Sequence, residues 1–156
     1  MAIRKIRLEG DPVLGKKCRP VEVMTDKLHV LIGDMLDTMY EHNGVGLAAP
    51  QVGILKRIVV VDVGDGPIVM VNPQILESEG EEIMDEGCLS VPGMAGQVPR
   101  PAYVKVKALD EDMEEVELEA TELLARAFCH EIDHLEGKMY TSLVQGGLHP
   151  VEYEDE

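Results

Sequence analysis

The chain has 156 residues, 45% of them hydrophobic, which fits one globular domain over residues 1–156. Its formal net charge of −16 argues against nucleic-acid partners, because phosphates would be repelled. No apolar run approaches the length of a membrane span, and residues 1–7 lack the apolar stretch of a signal peptide. Three cysteines, an odd number, give no disulfide framework, so we expect a cytoplasmic protein.

The N-terminal part is predicted to contain an extended arm and one amphipathic helix. Residues 3–8 alternate weakly between apolar and polar side chains and predict a short strand or an extended arm. From Thr25 to Asn43, apolar residues recur at steps of three and four, which is typical of an amphipathic helix. Thr25 is the expected N-cap, and Asn43-Gly44 is the expected end of the helix.

A glycine-rich segment, residues 44–53, follows this helix and includes Gly44-Val45-Gly46-Leu47-Ala48-Ala49-Pro50-Gln51. It lacks the Gly-Lys-Ser/Thr ending of a phosphate loop and the strand–turn–helix context of a dinucleotide site. Small residues let a backbone approach a neighbour closely, and Gln51 offers an amide that both donates and accepts hydrogen bonds. Taken by itself, the segment is most simply a tight turn that ends in an exposed glutamine.

The middle of the chain is predicted to be mostly strands. β-Branched residues predict a hairpin of strands 57–63 and 68–71, which Asn72-Pro73 ends, and a short strand then begins at Ile75. Alternation predicts another strand at 103–109 and one more within 111–119. A second helix should begin after Thr121 and end before Gly137, whereas residues 146–156 are expected to form a frayed acidic tail.

The second helix carries the sequence Cys129-His130-Glu131-Ile132-Asp133-His134. Histidines four residues apart lie on one helix face and can bind one divalent metal, with Glu131 beside them to handle the proton of a water molecule. A solvated helix without chemistry is the alternative, since the pattern is short. Two imidazoles are an incomplete site, and Cys88 is the cysteine best placed to complete it, because Cys18 lies in a polar segment and Cys129 points elsewhere.

Three segments, in chain order, resemble the three signature motifs of the peptide deformylases. They are Gly44 to Gln51, Glu86-Gly87-Cys88-Leu89-Ser90, and His130 to His134. The resemblance implies an α+β domain in which mostly antiparallel strands surround the His-Glu-x-x-His helix, with a second amphipathic helix nearer the N-terminus. It also implies removal of the formyl group from the N-terminal formylmethionine of newly made polypeptides, with release of formate.

The resemblance also implies roles for individual residues. Cys88, His130 and His134 would bind one ion, most often Fe²⁺, with Zn²⁺, Ni²⁺ or Co²⁺ as alternatives. Glu131 would be the proton carrier, while the amide of Gln51 and the backbone N–H of Leu89 would stabilise the developing negative charge. The remaining expected contacts are all with the peptide substrate: Val45, Gly46, Gly87, Leu123, Arg126 and Ala127.

Two departures from the family pattern concern the second helix. Cys129 stands where the family usually has Gln or Asn, and Arg126 stands where many members have an apolar residue that lines the methionine pocket. We expect the guanidinium of Arg126 to extend outward, with its aliphatic part forming the pocket wall. Glu86 is expected to accept a hydrogen bond from a ligand imidazole, and Asp133 to pair with Arg100.

Three other functions remain open from the sequence. A metalloprotease that cuts internal peptide bonds shares the helix motif but would not need the segment around Cys88. A binding protein that has lost activity is disfavoured by the intact Glu131 and Gln51. A structural zinc protein usually has four protein ligands, and the sequence offers no fourth. Formylated nascent peptides are the expected partners. Because such peptides emerge from the ribosome, a transient association with the ribosome is a further expectation.

Overall fold

The structure is a computed structural model that describes residues 2–151. Within this range the chain forms two α-helices and eight strands. The helices are α1 (Asp26–Glu41) and α2 (Glu122–Leu135). The strands are β1 (Gly46–Ala48), β2 (Ile58–Val61), β3 (Ile68–Glu79), β4 (Glu82–Cys88), β5 (Val91–Arg100), β6 (Tyr103–Leu109), β7 (Glu115–Thr121) and β8 (Gln145–Pro150).

The strands form two antiparallel sheets. A five-stranded sheet has the order β1-β2-β3-β6-β7, and a three-stranded sheet has the order β4-β5-β8. Helix α2 packs against β1, β2, β6 and β7 of the larger sheet and against β5 of the smaller one. The predicted α+β class, with antiparallel strands around the His-Glu-x-x-His helix, is therefore confirmed.

The larger sheet separates two hydrophobic cores, because successive side chains of a strand point to opposite faces. Val59 and Val61 belong to the core that also contains Phe128 and Leu135 of α2. Ile58 and Val60 belong to the core that contains the apolar face of α1. Strand β2 thus presents one set of aliphatic side chains to each helix. Within the described part of the chain, neither helix has the length and apolar character needed to cross a membrane.

Both helices agree closely with their predicted bounds. The Thr25 hydroxyl accepts a hydrogen bond from the backbone N–H of Leu28 at 3.2 Å, as expected of an N-cap. Thr121 occupies the N-cap position of α2, but its side chain makes no capping hydrogen bond. Gly137, with φ of +73°, follows the end of α2 as predicted. Residues 3–8 form an extended arm, in which Arg7 N–H donates to the Gln51 carbonyl at 2.7 Å.

One prediction about the strands was wrong, and two strands were not predicted. Asn72-Pro73 does not end β3, because the strand shifts its pairing register there and continues to Glu79. The side-chain amide of Asn72 instead accepts a hydrogen bond from the N–H of Val21 and donates one to the carbonyl of Val21, each at 2.8 Å. β4 and β5 were not predicted, because their glycines, prolines and acidic residues resemble loop sequence.

The expected frayed tail is also wrong in part, since residues 145–150 pair with β5 as strand β8. The last expected tail residues, 152–156, lie outside the described part of the chain.

Candidate metal centre

The three predicted metal ligands lie together where the end of β4 meets α2. The Nε2 atoms of His130 and His134 are 3.2 Å apart, and the Sγ of Cys88 is 3.4 Å from His134 Nε2. All three donor atoms lie within 4.8 Å of one another. On one tetrahedral zinc ion, two nitrogens are about 3.3 Å apart and a nitrogen and a sulfur about 3.6 Å. The donor spacing therefore fits a single ion.

The two imidazoles differ in protonation. Burial lowers the pKa of His134 to about 3, so this side chain is neutral and its Nε2 offers a lone pair. Burial acts to lower the pKa of His130 as well, but Glu131, Cys88 and Glu86 outweigh it and raise that pKa well above its usual value. The site thus favours positive charge at His130, where a metal ion can take the place of a proton.

A buried carboxylate, Glu86, orients the first of these histidines. Its Oε2 lies 2.6 Å from His130 Nδ1 and accepts the hydrogen bond predicted from the sequence. Burial would raise the pKa of Glu86, but hydrogen bonds from His130 and Arg100 lower it to about 2. The predicted pair of Asp133 and Arg100 is also present, with Arg100 Nη1 donating to Asp133 Oδ2 at 2.7 Å.

Arg126 does not extend outward as predicted. The side chain is only 6% exposed, and Nη1 donates to Glu86 Oε1 at 3.0 Å. The same nitrogen donates to the Val98 carbonyl at 2.8 Å, and Nη2 donates to the Glu82 carbonyl at 2.8 Å. The guanidinium turns inward because β4 and β5, which the sequence analysis missed, place three acceptors beside α2.

Glu131 lies beside the ligands but does not join them. Its Oε2 is 4.0 Å from His130 Nε2, and its Oε1 is buried without a hydrogen-bond partner among residues 2–151. Burial is the largest influence on this carboxyl and raises its pKa to about 7. Gly46 faces it so closely that a Cβ atom there would lie 2.5 Å from Glu131 Oε2. A buried carboxyl with a near-neutral pKa is suited to proton transfer.

Gln51 is buried rather than exposed, so its segment is not merely a surface turn. Its Oε1 accepts from the Ala48 N–H at 2.9 Å. Its Nε2 donates to Ser90 Oγ at 3.1 Å and to Cys88 Sγ at 3.4 Å. The amide is thereby fixed with its donor end toward the candidate ligand Cys88. This contact of Ser90 was not predicted, although Ser90 belongs to the same motif as Cys88.

A cavity of about 560 Å³ opens in front of these groups. Its walls include every residue expected to contact the peptide: Val45, Gly46, Gly87, Leu123, Arg126 and Ala127. They also include Gln51, Cys88, Leu89, His130 and Glu131. Strands β1 and β4 each form the edge of a sheet and border the cavity. A further wall of Pro92, Gly93, Met94 and Val151 was not predicted, because it depends on β5 and on the end of β8.

Comparison with known proteins gives consistent matches. The sequence profile of the family "Polypeptide deformylase" matches residues 3–147. The peptide deformylase of Agathobacter rectalis is 68% identical over 155 residues, which are 99% of this chain and 98% of the relative. The crystal structure of peptide deformylase from Thermotoga maritima superposes with a TM-score of 0.90 at 44% identity, covering 92% of this chain and 98% of the other. One from Synechococcus elongatus in complex with actinonin gives a TM-score of 0.88 at 42% identity, covering 90% and 78%.

Proposed function

The chain belongs to the polypeptide deformylase family, and from this premise we propose which of its groups perform the family's reaction. That reaction removes the N-formyl group from the N-terminal formylmethionine of newly made polypeptides, and the chain is a metal-dependent hydrolase of this kind. The observation that supports the assignment best is the meeting of the three motifs. Cys88, His130 and His134 bring their donor atoms within 4.8 Å of one another, and Glu131 and Gln51 line the same cavity.

Cys88, His130 and His134 would hold one divalent ion, and we propose Fe²⁺, although Zn²⁺, Ni²⁺ and Co²⁺ also suit imidazole and thiolate donors. When bound, the ion supplies Lewis acidity to the formyl oxygen and to the attacking water. The hydrogen bond from His130 Nδ1 to Glu86 holds the His130 ring so that the Nε2 of His130 points toward the Nε2 of His134. Such hydrogen-bonded support of a ligand imidazole fixes both its tautomer and its orientation.

Glu131 moves the proton in this scheme. A water molecule adds to the formyl carbon and gives its proton to the Glu131 carboxylate. The carboxylic acid then donates that proton to the amine nitrogen as the C–N bond breaks, which yields formate and a free amino terminus. Because the pKa of Glu131 is raised to about 7, it can accept and return the proton near neutral pH.

Two donors face the charge that develops on the formyl oxygen. They are the Gln51 amide, which would turn one N–H from Cys88 Sγ to this oxygen while the other stays on Ser90 Oγ, and the backbone N–H of Leu89. Loss of one donor of this kind typically costs about 3–4 kcal/mol of transition-state stabilisation. A Gln51 variant therefore has a defined expected penalty, because its amide is already oriented in the free protein.

The peptide would lie extended between the free edges of β1 and β4. Val45, Gly46 and Gly87 offer backbone groups for strand addition. The methionine side chain would contact Leu123, Ala127 and the aliphatic part of Arg126. We further propose one catalytic domain over residues 1–156, a cytoplasmic location, no direct nucleic-acid binding, and at most a transient ribosome association.

Formate release from a formyl-Met peptide tests this proposal. The protein is loaded with Fe²⁺ under anaerobic conditions, and an unformylated peptide of the same sequence serves as a second substrate. We expect formate only from the first peptide and no internal cleavage of either. Cleavage of the unformylated peptide would indicate a metalloprotease instead. Metal binding without turnover would indicate a binding protein.

A further inference from the structure

The guanidinium of Arg126 connects α2 to both strands that support the cavity. Nη2 donates to the Glu82 carbonyl at the start of β4, and Nη1 donates to the Val98 carbonyl in β5. Nη1 also donates to the carboxylate of Glu86, within β4. Two of these acceptors are backbone atoms, so the contact fixes the strands themselves and not only their side chains.

The position of these bonds matters because the ligands come from different elements. His130 and His134 lie on α2, while Cys88 is the last residue of β4. Arg126 lies one helical turn before His130, so its hydrogen bonds join the helix of the two imidazoles to the strand of the sulfur. The pairing of β4 with β5 shifts register between Gly87 and Cys88. The ligand sulfur therefore lies just beyond the regularly paired part of its strand.

Arg100 cannot replace Arg126 in this contact. Its Nε and Nη2 donate to the two oxygens of Glu86 at 3.0 and 2.6 Å, and its Nη1 donates to Asp133. Without Arg126, the buried Val98 carbonyl would lose a side-chain donor, and Glu86 would keep only one of its two guanidinium partners. Removing a donor from a buried carbonyl and from a buried carboxylate is costly, so we expect β4 and β5 to shift relative to α2 even though Arg100 still joins Glu86 to Asp133.

We infer that Arg126 is a positioning residue for the metal centre, holding the Cys88 strand and Glu86 in register with the two histidines of α2. It acts through hydrogen bonds to Glu82, Val98 and Glu86 and touches neither the ion nor the reacting atoms. The inference rests on the proposed function, because it takes Cys88, His130 and His134 as the ligands. It gives the departure at position 126 a role in metal binding rather than only in pocket shape.

Metal affinity and the spectrum of a Co²⁺-loaded protein test this inference directly. Arg126→Met keeps the aliphatic part of the side chain and removes the donors. Arg126→Lys keeps the charge, but lysine lacks the planar guanidinium and its single nitrogen cannot reach all three acceptors. The matched control is Arg57→Met, because Arg57 also ties a strand carbonyl, that of Pro73, to Glu136, the C-cap residue of α2. That contact lies at the opposite end of the helix from the cavity.

Zn²⁺ affinity is measured by competition with a chromogenic chelator, Co²⁺ coordination by the thiolate charge-transfer band, and folding by thermal unfolding of the metal-free protein. We expect Arg126→Met to lower Zn²⁺ affinity about 10- to 100-fold and to weaken the charge-transfer band. Arg126→Lys should fall between Arg126→Met and the unchanged chain. Turnover should fall mainly in kcat, with KM little changed. Arg57→Met should lower only the unfolding temperature.

Unchanged Zn²⁺ affinity in Arg126→Met would overturn the inference, as would an equal loss of affinity in Arg57→Met. Full recovery in Arg126→Lys would also overturn it, because charge alone would then suffice. If Arg126→Met does not fold, Arg126→Lys decides the question by the same measurements. Failure of the proposed function has a different signature, since the unchanged chain itself would then release no formate, whatever its metal affinity.

Discussion

Substitution of Gly46 by alanine should impair turnover while leaving the metal in place. The added Cβ would lie 2.5 Å from Glu131 Oε2 and 2.9 Å from both Cδ and Cγ of the same side chain. Gly46 pairs with Val61 in the sheet, so its backbone cannot retreat freely. Its φ is not in the left-handed region, which means that alanine causes no backbone strain. The close contact with Glu131 is therefore the main perturbation.

The size of the effect follows from this distance. An ordinary carbon contact begins at 3.4 Å, so the carboxylate must move by about 1 Å. A misplacement of about 1 Å in a catalytic group typically costs about 100-fold in rate, or about 3 kcal/mol of transition-state stabilisation. Because Glu131 lines the cavity and its carboxylate is the flexible end of the side chain, the loss of folding stability should lie at the low end of the roughly 1–3 kcal/mol that is typical of overpacking. Metal affinity should not change, because Glu131 is not a ligand.

Steady-state formate release, metal content and thermal unfolding together measure these effects. Gly33→Ala is the matched control, because no heavy atom lies within 4 Å of its added Cβ. Gly33 lies inside α1, where alanine stabilises a helix by about 1 kcal/mol relative to glycine. If Gly46→Ala folds and binds metal but retains nearly full kcat, Glu131 is not the proton carrier. If it loses the metal, Glu131 is more closely coupled to the ligands than its 4.0 Å distance from His130 Nε2 suggests.

Four further outcomes are expected. Glu131→Gln should keep the metal and lose about 10²–10⁴-fold in kcat. In the unchanged chain, kcat/KM should rise with pH through a pKa at or below about 7. The reason is that the base form of Glu131 is required, and a bound cation lowers the pKa of Glu131 further. A profile that is flat down to pH 4 would exclude this role. Cys88→Ser should lose metal and activity, whereas Cys129→Ser should keep both, since Cys129 is buried in the hydrophobic core. In air, the Fe²⁺ form should lose activity sooner than the Ni²⁺ or Zn²⁺ form, with oxidation of Cys88 detected by mass analysis; equal durability with an intact thiol would argue against Cys88 as an iron ligand.

Local sequence patterns were sufficient where an element is defined by its own residues. The apolar period of residues 25–43 and the motif at His130 predicted both helices, because helix faces follow from residues three and four apart. The pairing of β5 with both β4 and β8 joins segments that no local pattern connects, and Pro92, Gly93 and Pro99 hide the strand pattern. Asn72-Pro73 was misleading for a related reason, since a shift in the pairing register accommodates it within β3.

The same distinction applies to the candidate site. The two histidines and Glu131 were predictable because their spacing on one helix determines which face they share. The direction of the Arg126 side chain was not, because it depends on the carbonyls of Glu82 and Val98. Those acceptors reach α2 only through strand pairing that the sequence does not show. A long, flexible arginine side chain follows its acceptors, and its position in the helix does not determine where they lie.

Burial of α2 between the two sheets tunes neighbouring groups of one helix in opposite directions. Desolvation disfavours whichever form is charged, so it lowers the pKa of His134 to about 3 and raises that of Glu131 to about 7. The first shift keeps an imidazole neutral, as metal binding requires. The second gives a carboxylate basic enough to take a proton from water. Because one desolvated environment supplies both properties, the aliphatic core around Phe128 and Leu135 contributes to the chemistry as well as to stability, and a core change that hydrates α2 would weaken metal binding and proton transfer together.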